Sequence, residues 1–107
     1  MRVLFDQGTP VPLRPFLTRH SVRTVAEQQW STLGNGELLD AAEAAGFQVL
    51  LTTDKNIRYQ QNLATRRIAI IVLGRPEWPV LRQHRERVVT AVDAATPGSY
   101  CEVVIPD

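Results

Sequence analysis

The chain is expected to fold as an α/β layered domain, and three observations say so. Short apolar runs alternate along it with segments of helical spacing, the pattern of a sheet covered by helices. Several runs, such as Ile68-Ala69-Ile70-Ile71-Val72-Leu73, are apolar without interruption, as strands of a parallel sheet buried on both faces are. No repeat or low-complexity stretch breaks the alternation. The 107 residues, 44% of them hydrophobic, suffice for one core, so a single domain over residues 1–107 is expected.

Taken in order, the elements begin with a strand at 2–5, ending at Asp6. A short helix near 11–18 and a strand at 21–25 follow. The helix at 36–45 carries the clearest local signals: Asn35 can cap it, Glu37 complements the positive end of its dipole, and Gly46 can stop it. Leu38, Leu39, Ala42 and Ala45 share one face, while Asp40 and Glu43 fall opposite. Glu37 lies at the boundary of those faces, beside the small Ala41 and Ala44, and could reach toward a crevice. Its other reading is a first-turn glutamate that only serves the dipole.

A strand at 48–53 ends in Thr52-Thr53-Asp54, and a helix at 55–63 and a strand at 68–73 come next. The helix at 79–95 holds Leu81, Val88, Val92 and Ala95 at helical spacing, pairs Arg82 with Glu86, and stops at Pro97-Gly98. The final strand, 100–105, alternates Cys101, Val103 and Ile105 against Tyr100, Glu102 and Val104, the mark of a half-exposed edge. Cys101 reads as a filler of that strand and Glu102 as solvated. Trp30 and Trp78 read as packing anchors.

Composition excludes several classes of function. Twelve basic residues against 11 acidic give a net charge of only +1, so any polyanion site must come from local clustering. One cysteine permits no internal disulfide, and no Cys/His set has zinc-ligand spacing. The longest apolar run is far too short to span a bilayer, and the chain enters a strand at Arg2 without a signal-peptide pattern. A soluble, cytoplasmic protein with no membrane partner is expected.

The functional clue is the pair of aspartates that close Val3-Leu4-Phe5-Asp6 and Val49-Leu50-Leu51-Thr52-Thr53-Asp54. Ligands of open α/β sheets bind beyond the carboxyl ends of the strands, so two parallel neighbours would bring Asp6 and Asp54 into one crevice. Paired carboxylates favour a bound cation or a shifted pKa, and a hard divalent metal is the simplest occupant. Each acid also has a structural reading: Asp6 can close an Asx turn through Gln7-Gly8, and Asp54 can cap the following helix. Downstream, Lys55, Arg58, Tyr59, Arg66 and Arg67 form a small cluster able to contact RNA, with Tyr59 stacking on a base. An ordinary polar surface is the alternative.

Three segments, Val-Leu-Phe-Asp at 3–6, Asn35-Gly36-Glu37-Leu38-Leu39-Asp40-Ala41-Ala42, and Leu51-Thr52-Thr53-Asp54-Lys55-Asn56, resemble a short bacterial PIN-like domain family of unknown function, within the PIN nuclease superfamily. The similarity runs from Met1 to Leu73. It implies a three-layer sandwich, PIN-like or flavodoxin-like, on a mostly parallel five-stranded sheet of order 2-1-3-4-5. It further implies an acidic pocket for Mg²⁺ or Mn²⁺, cleavage of RNA, and as one possibility membership of a toxin-antitoxin pair with a cognate antitoxin-like protein. A homodimer is a further possibility.

Residue by residue, Asp6 matches the first-strand acid and Asp54 the acid of the Thr-x-Asp strand end. Asn35 and Asn56 stand where relatives commonly supply acids, leaving Glu37 as the nearest substitute. The site is therefore acid-poor, with Asp6, Glu37 and Asp54 as expected catalytic residues and metal ligands, and Asn35 and Asn56 as supporting polar groups. The leading expectation is a metal-dependent ribonuclease acting on single-stranded RNA, and its rival is a non-catalytic RNA- or protein-binding module. A flavodoxin-type nucleotide or phosphoacceptor domain is disfavoured, since the turn after Phe5 has Gly8 but no Gly-rich loop.

Overall fold

Each apolar run becomes a strand where the sequence places one. The computed structural model describes residues 1–107, with β1 (Arg2–Phe5), β2 (Ser21–Thr24), β3 (Val49–Thr52), β4 (Ala69–Leu73) and β5 (Tyr100–Val103). They form one five-stranded sheet in the order β2-β1-β3-β4-β5, every neighbouring pair parallel. Strand side chains alternate between two apolar layers. Val3, Phe5, Val49, Leu51, Ile71 and Leu73 enter one core cluster, and Leu4, Leu50, Ile70 and Val72 the other.

Helices cover both layers, which completes the sandwich. The first face is closed by a 3₁₀ turn at Val11–Phe16, α3 (Trp78–Gln83) and α4 (Arg85–Asp93), through Leu13, Leu81, Val88 and Val92. The second is closed by α1 (Asn35–Ala44) and α2 (Ile57–Gln60), through Leu38, Leu39, Ala42 and Ile57. Trp30 packs edge-on against Phe47, and Trp78 packs against Phe16, with ring centroids 6.0 and 6.1 Å apart. No helix is long and apolar enough to cross a membrane.

Several local expectations need correction. The segment near 11–18 is a 3₁₀ turn, because Pro12 and Pro15 cannot supply the N–H groups of a regular α-helix. The helix expected at 55–63 is one turn long, and Gln61 leaves it with extended backbone. The helix expected at 79–95 breaks at His84 (φ −121°, ψ 20°) into α3 and α4. Arg85 Nη1 then donates to the Arg82 carbonyl at 2.9 Å, occupying an acceptor at the break, and the expected Arg82–Glu86 pair is absent. Ala45 is exposed. Cys101 is exposed as well, because the helix residues across from it are the small Ala91 and Ala94, which leave an open groove there.

One polar device ties the second layer to the sheet. Glu43, near the end of α1, accepts from Arg66 Nη1 at 2.9 Å and from the backbone N–H groups of Arg67 (2.7 Å) and Ile68 (3.3 Å). Burial alone would raise its pKa. The Arg66 guanidinium and the two backbone donors outweigh that and hold the carboxyl below its ordinary value. A depressed folded-state pKa contributes stability above the unfolded value and loses it as pH falls toward the folded one. Glu43→Gln should therefore lower stability at neutral pH by roughly 1 kcal/mol or more and flatten the loss of stability below about pH 5. Urea unfolding across that range checks this, and parallel pH slopes for the two proteins would refute the assignment.

Candidate functional site

The strand order reverses direction between β1 and β3, since β2 lies on one side of β1 and β4 beyond β3. That is the switch point at which open α/β sheets bind ligands. Both aspartates stand there. Phe5 is in register with Leu51, so Asp6 and Thr52 face each other one step on, on the side of the sheet covered by α1 and α2.

The Thr52 hydroxyl joins the Asp6 carboxylate to the backbone of Asp54. It is buried, donates to Asp6 Oδ2, and accepts from the Asp54 backbone N–H at 3.0 Å. Asp6 Oδ1 also accepts from the Gly8 N–H at 3.1 Å, closing the Asx turn anticipated from the sequence, and lies 3.0 Å from the Thr9 hydroxyl. Thr9 Oγ1 is equally within 2.8 Å of the Leu51 carbonyl, so its single proton serves one acceptor at a time. Gly8 has a reason to be glycine: a Cβ there would collide with Thr53 Oγ1.

Asp54 is held by different donors. Its Oδ1 accepts from the Asn56 backbone N–H at 2.9 Å, and its Oδ2 from Asn35 Nδ2 at 2.9 Å. Asn35 was expected to cap α1, but Gly34 takes that position with extended backbone (φ −72°, ψ 168°), and Asn35 is the first helical residue. Its Nδ2 instead donates to the Asp54 carboxylate, a charge-assisted bond stronger than a neutral one. Asn56 acts through its backbone, and its side chain is exposed.

Glu37 does not join the acids. It is exposed, and its Oε1 accepts from the Gly34 N–H at 3.3 Å, the glutamate half of a capping box. No three His, Cys, Asp or Glu side chains gather in a metal-binding arrangement. The hollow at the switch point is small, about 140 Å³, and is lined by Asp6, Gln7, Val25, Trp30, Leu33 and Asn35. Asp54 stands outside it, connected through Asn35 and Thr52. A larger cavity of about 620 Å³ lies at the opposite end of the sheet, between Met1, Gln48, Arg67 and Thr96. Its one acid, Glu43, is already engaged by Arg66.

The basic cluster divides between those two ends. Lys55, Arg58 and Tyr59 follow Asp54, and Tyr59 is 72% exposed. Arg58 pairs with Glu102 at 3.2 Å and lies over the Tyr59 ring at 4.7 Å, so Glu102 is an ion-pair partner as well as a surface acid. Arg66 and Arg67 precede β4 at the other end, with Arg66 held by Asp40 at 2.6 Å and by Glu43. Sequence reading missed Thr52 and Thr9, the two buried polar residues. Thr52 was legible only as a polar end to an apolar run.

No protein-family model, curated protein or solved structure matches this chain. Thr52→Val keeps the shape of the side chain but leaves the Asp54 N–H and an Asp6 oxygen without their partner, so stability should fall by about 1–3 kcal/mol. Thr52→Ser should recover most of it. Urea unfolding of both variants checks the bridge, which wild-type stability in Thr52→Val would rule out.

Proposed function

We propose that the protein is a Mg²⁺- or Mn²⁺-dependent, PIN-like hydrolase of single-stranded RNA in which Asp6 and Asp54 hold one ion. The observation that carries this reading is the placement of two aspartates at the β1–β3 switch point, where the Thr52 hydroxyl ties the Asp6 carboxylate to the Asp54 backbone N–H. Asp6 has three candidate donors and Asp54 two. A carboxylate offers about four acceptor positions, so both retain capacity for a cation. Mg²⁺ often takes only one or two protein carboxylates and completes its shell with water and substrate phosphate. One ion is the most this pair of acids would hold, since no third acid stands with them.

Such an ion, when bound, lowers the pKa of a water and offsets phosphate charge. The chain's own groups fix the ligands: Thr52, Thr9 and the Gly8 N–H orient Asp6, while Asn35 and the Asn56 N–H orient Asp54. Lys55, Arg58 and Tyr59 follow Asp54 in the chain, where Lys55 would offer a cationic group for phosphate and the exposed Tyr59 a ring for base stacking. A second reading, a non-catalytic PIN-like module binding RNA or protein, is favoured by one observation: Glu37 is engaged at its helix cap and adds no charge to the site.

Purified protein should cleave single-stranded RNA in Mn²⁺ or Mg²⁺ and stop in chelator, and Asp6→Asn/Asp54→Asn should lose roughly a hundredfold or more. Asn56→Asp leaves the backbone bond to Asp54 in place and adds a charge beside it, so calorimetry should record tighter Mn²⁺ binding. Activity that survives the double substitution would dismiss these acids. Absence of both Mn²⁺ binding and cleavage in folded protein would favour the non-catalytic module.

A further inference from the structure

The outer strands of a sheet turn alternate backbone donors and acceptors away from it, and the two edges of this sheet are finished differently. At β2, the register with β1 sends the groups of Val22 and Thr24 outward. Those of Thr24 are taken: its N–H donates to Glu27 Oε1 at 2.8 Å, and its carbonyl accepts from the Gln28 N–H at 3.1 Å. Only Val22 is left open.

At β5, Ile70 N–H donates to the Ser99 carbonyl and Gly74 N–H to the Val103 carbonyl. The alternate residues Tyr100, Glu102 and Val104 therefore point outward. Among their backbone groups, only the Val104 carbonyl is used, accepting from Arg87 Nη1 at 3.3 Å. No proline or lysine interrupts the strand, Val104 is 70% exposed, and Cys101 is exposed. Beside it runs an open groove of about 520 Å³, bounded by Thr90 and Ala91 of α4 and by Ala94 just after it.

We propose that β5 is a homodimerisation edge, pairing antiparallel with β5 of a second copy about a two-fold axis at Cys101. Outward residues must face outward residues in such a ladder, which leaves three central registers to compare. An axis at Glu102 sets two glutamates directly opposite each other, a destabilising pairing. An axis at Val103 demands the Val104 carbonyl that Arg87 already holds. With the axis at Cys101, Tyr100 faces the partner's Glu102, and both penalties vanish.

The charges then complement each other across the axis, which is why the occupant is a second copy. Arg58 pairs with its own Glu102 at 3.2 Å and lies 5.7 Å from the centre of the Tyr100 ring. The partner's Glu102, opposite Tyr100, is thereby brought beside it, so each guanidinium serves two carboxylates. The two Cys101 residues meet at a non-hydrogen-bonded position, where Cα atoms are about 4.5 Å apart. That separation falls within disulfide reach, which makes the thiol a reporter of register.

Analytical ultracentrifugation of the full chain at micromolar concentration should record a dimer. Glu102→Pro removes an outward N–H without touching the ladder to β4 and should yield a monomer of unchanged far-UV circular dichroism. Glu102→Arg, which sets the guanidinium groups against each other, should weaken the dimer at least tenfold. Oxidation with copper-phenanthroline should link wild-type copies through Cys101, and Cys101→Ser should remain a dimer but not crosslink. A monomeric wild type would overturn the proposal and leave this edge to a strand of another protein. A dimer unaffected by both Glu102 variants, or one that never crosslinks while its thiols react with a small maleimide, would overturn it too.

Discussion

The parallel pairing of β1 with β3 is the constraint on which the remaining structure depends. Val3, Leu4 and Phe5 face Val49, Leu50 and Leu51 in register, and all six are buried. Strands buried on both faces cannot slip by one residue without exchanging their two apolar layers. That fixed register carries the Asp6 N–H to the Leu51 carbonyl at 3.1 Å and sets Asp6 across from Thr52. The polar end of the sheet is thus positioned by its apolar middle.

Asp6 and Asp54 are built into the turns that leave those strands, and the same hydrogen bonds give them two roles. Donors that shape the turn also fix the direction of each carboxylate and reduce its spare capacity as an acceptor. Asp6, with three candidate donors, is the more committed, and Asp54 keeps more room. Polar groups replace further acids around them: a threonine hydroxyl between the Asp6 carboxylate and the Asp54 N–H, and an asparagine amide on Asp54. Each of these donors stabilises carboxylate charge without a cation.

The opposite end of the sheet is organised for attachment. Glu43 collects Arg66 and two backbone donors, so two of the arginines that read as an RNA cluster in sequence lie there, one of them as a clasp between α1 and β4. The edges differ for a comparable reason. The turn following β2 folds Glu27 and Gln28 back onto Thr24, whereas α4, bearing small residues next to β5, offers that strand a single cover in Arg87.

Local patterns along the chain dictate the strand positions, the two-faced burial of β3 and β4, the helix at α1 with its Gly46 stop, and the aspartates at the ends of β1 and β3. Those features rest on local chemistry: apolar runs, turn residues, and a glycine that adopts φ +82°. The tertiary fold settles that Thr52 ties the Asp6 carboxylate to the Asp54 N–H, that Asn35 turns to Asp54 and leaves the cap to Gly34, and that Glu37 stays at its helix. It also decided the break at His84, where neither Pro nor Gly stands, and the exposure of Cys101. Each of these depends on what a side chain meets across a sheet or between layers, and residues distant in sequence set those encounters through the packing of the whole.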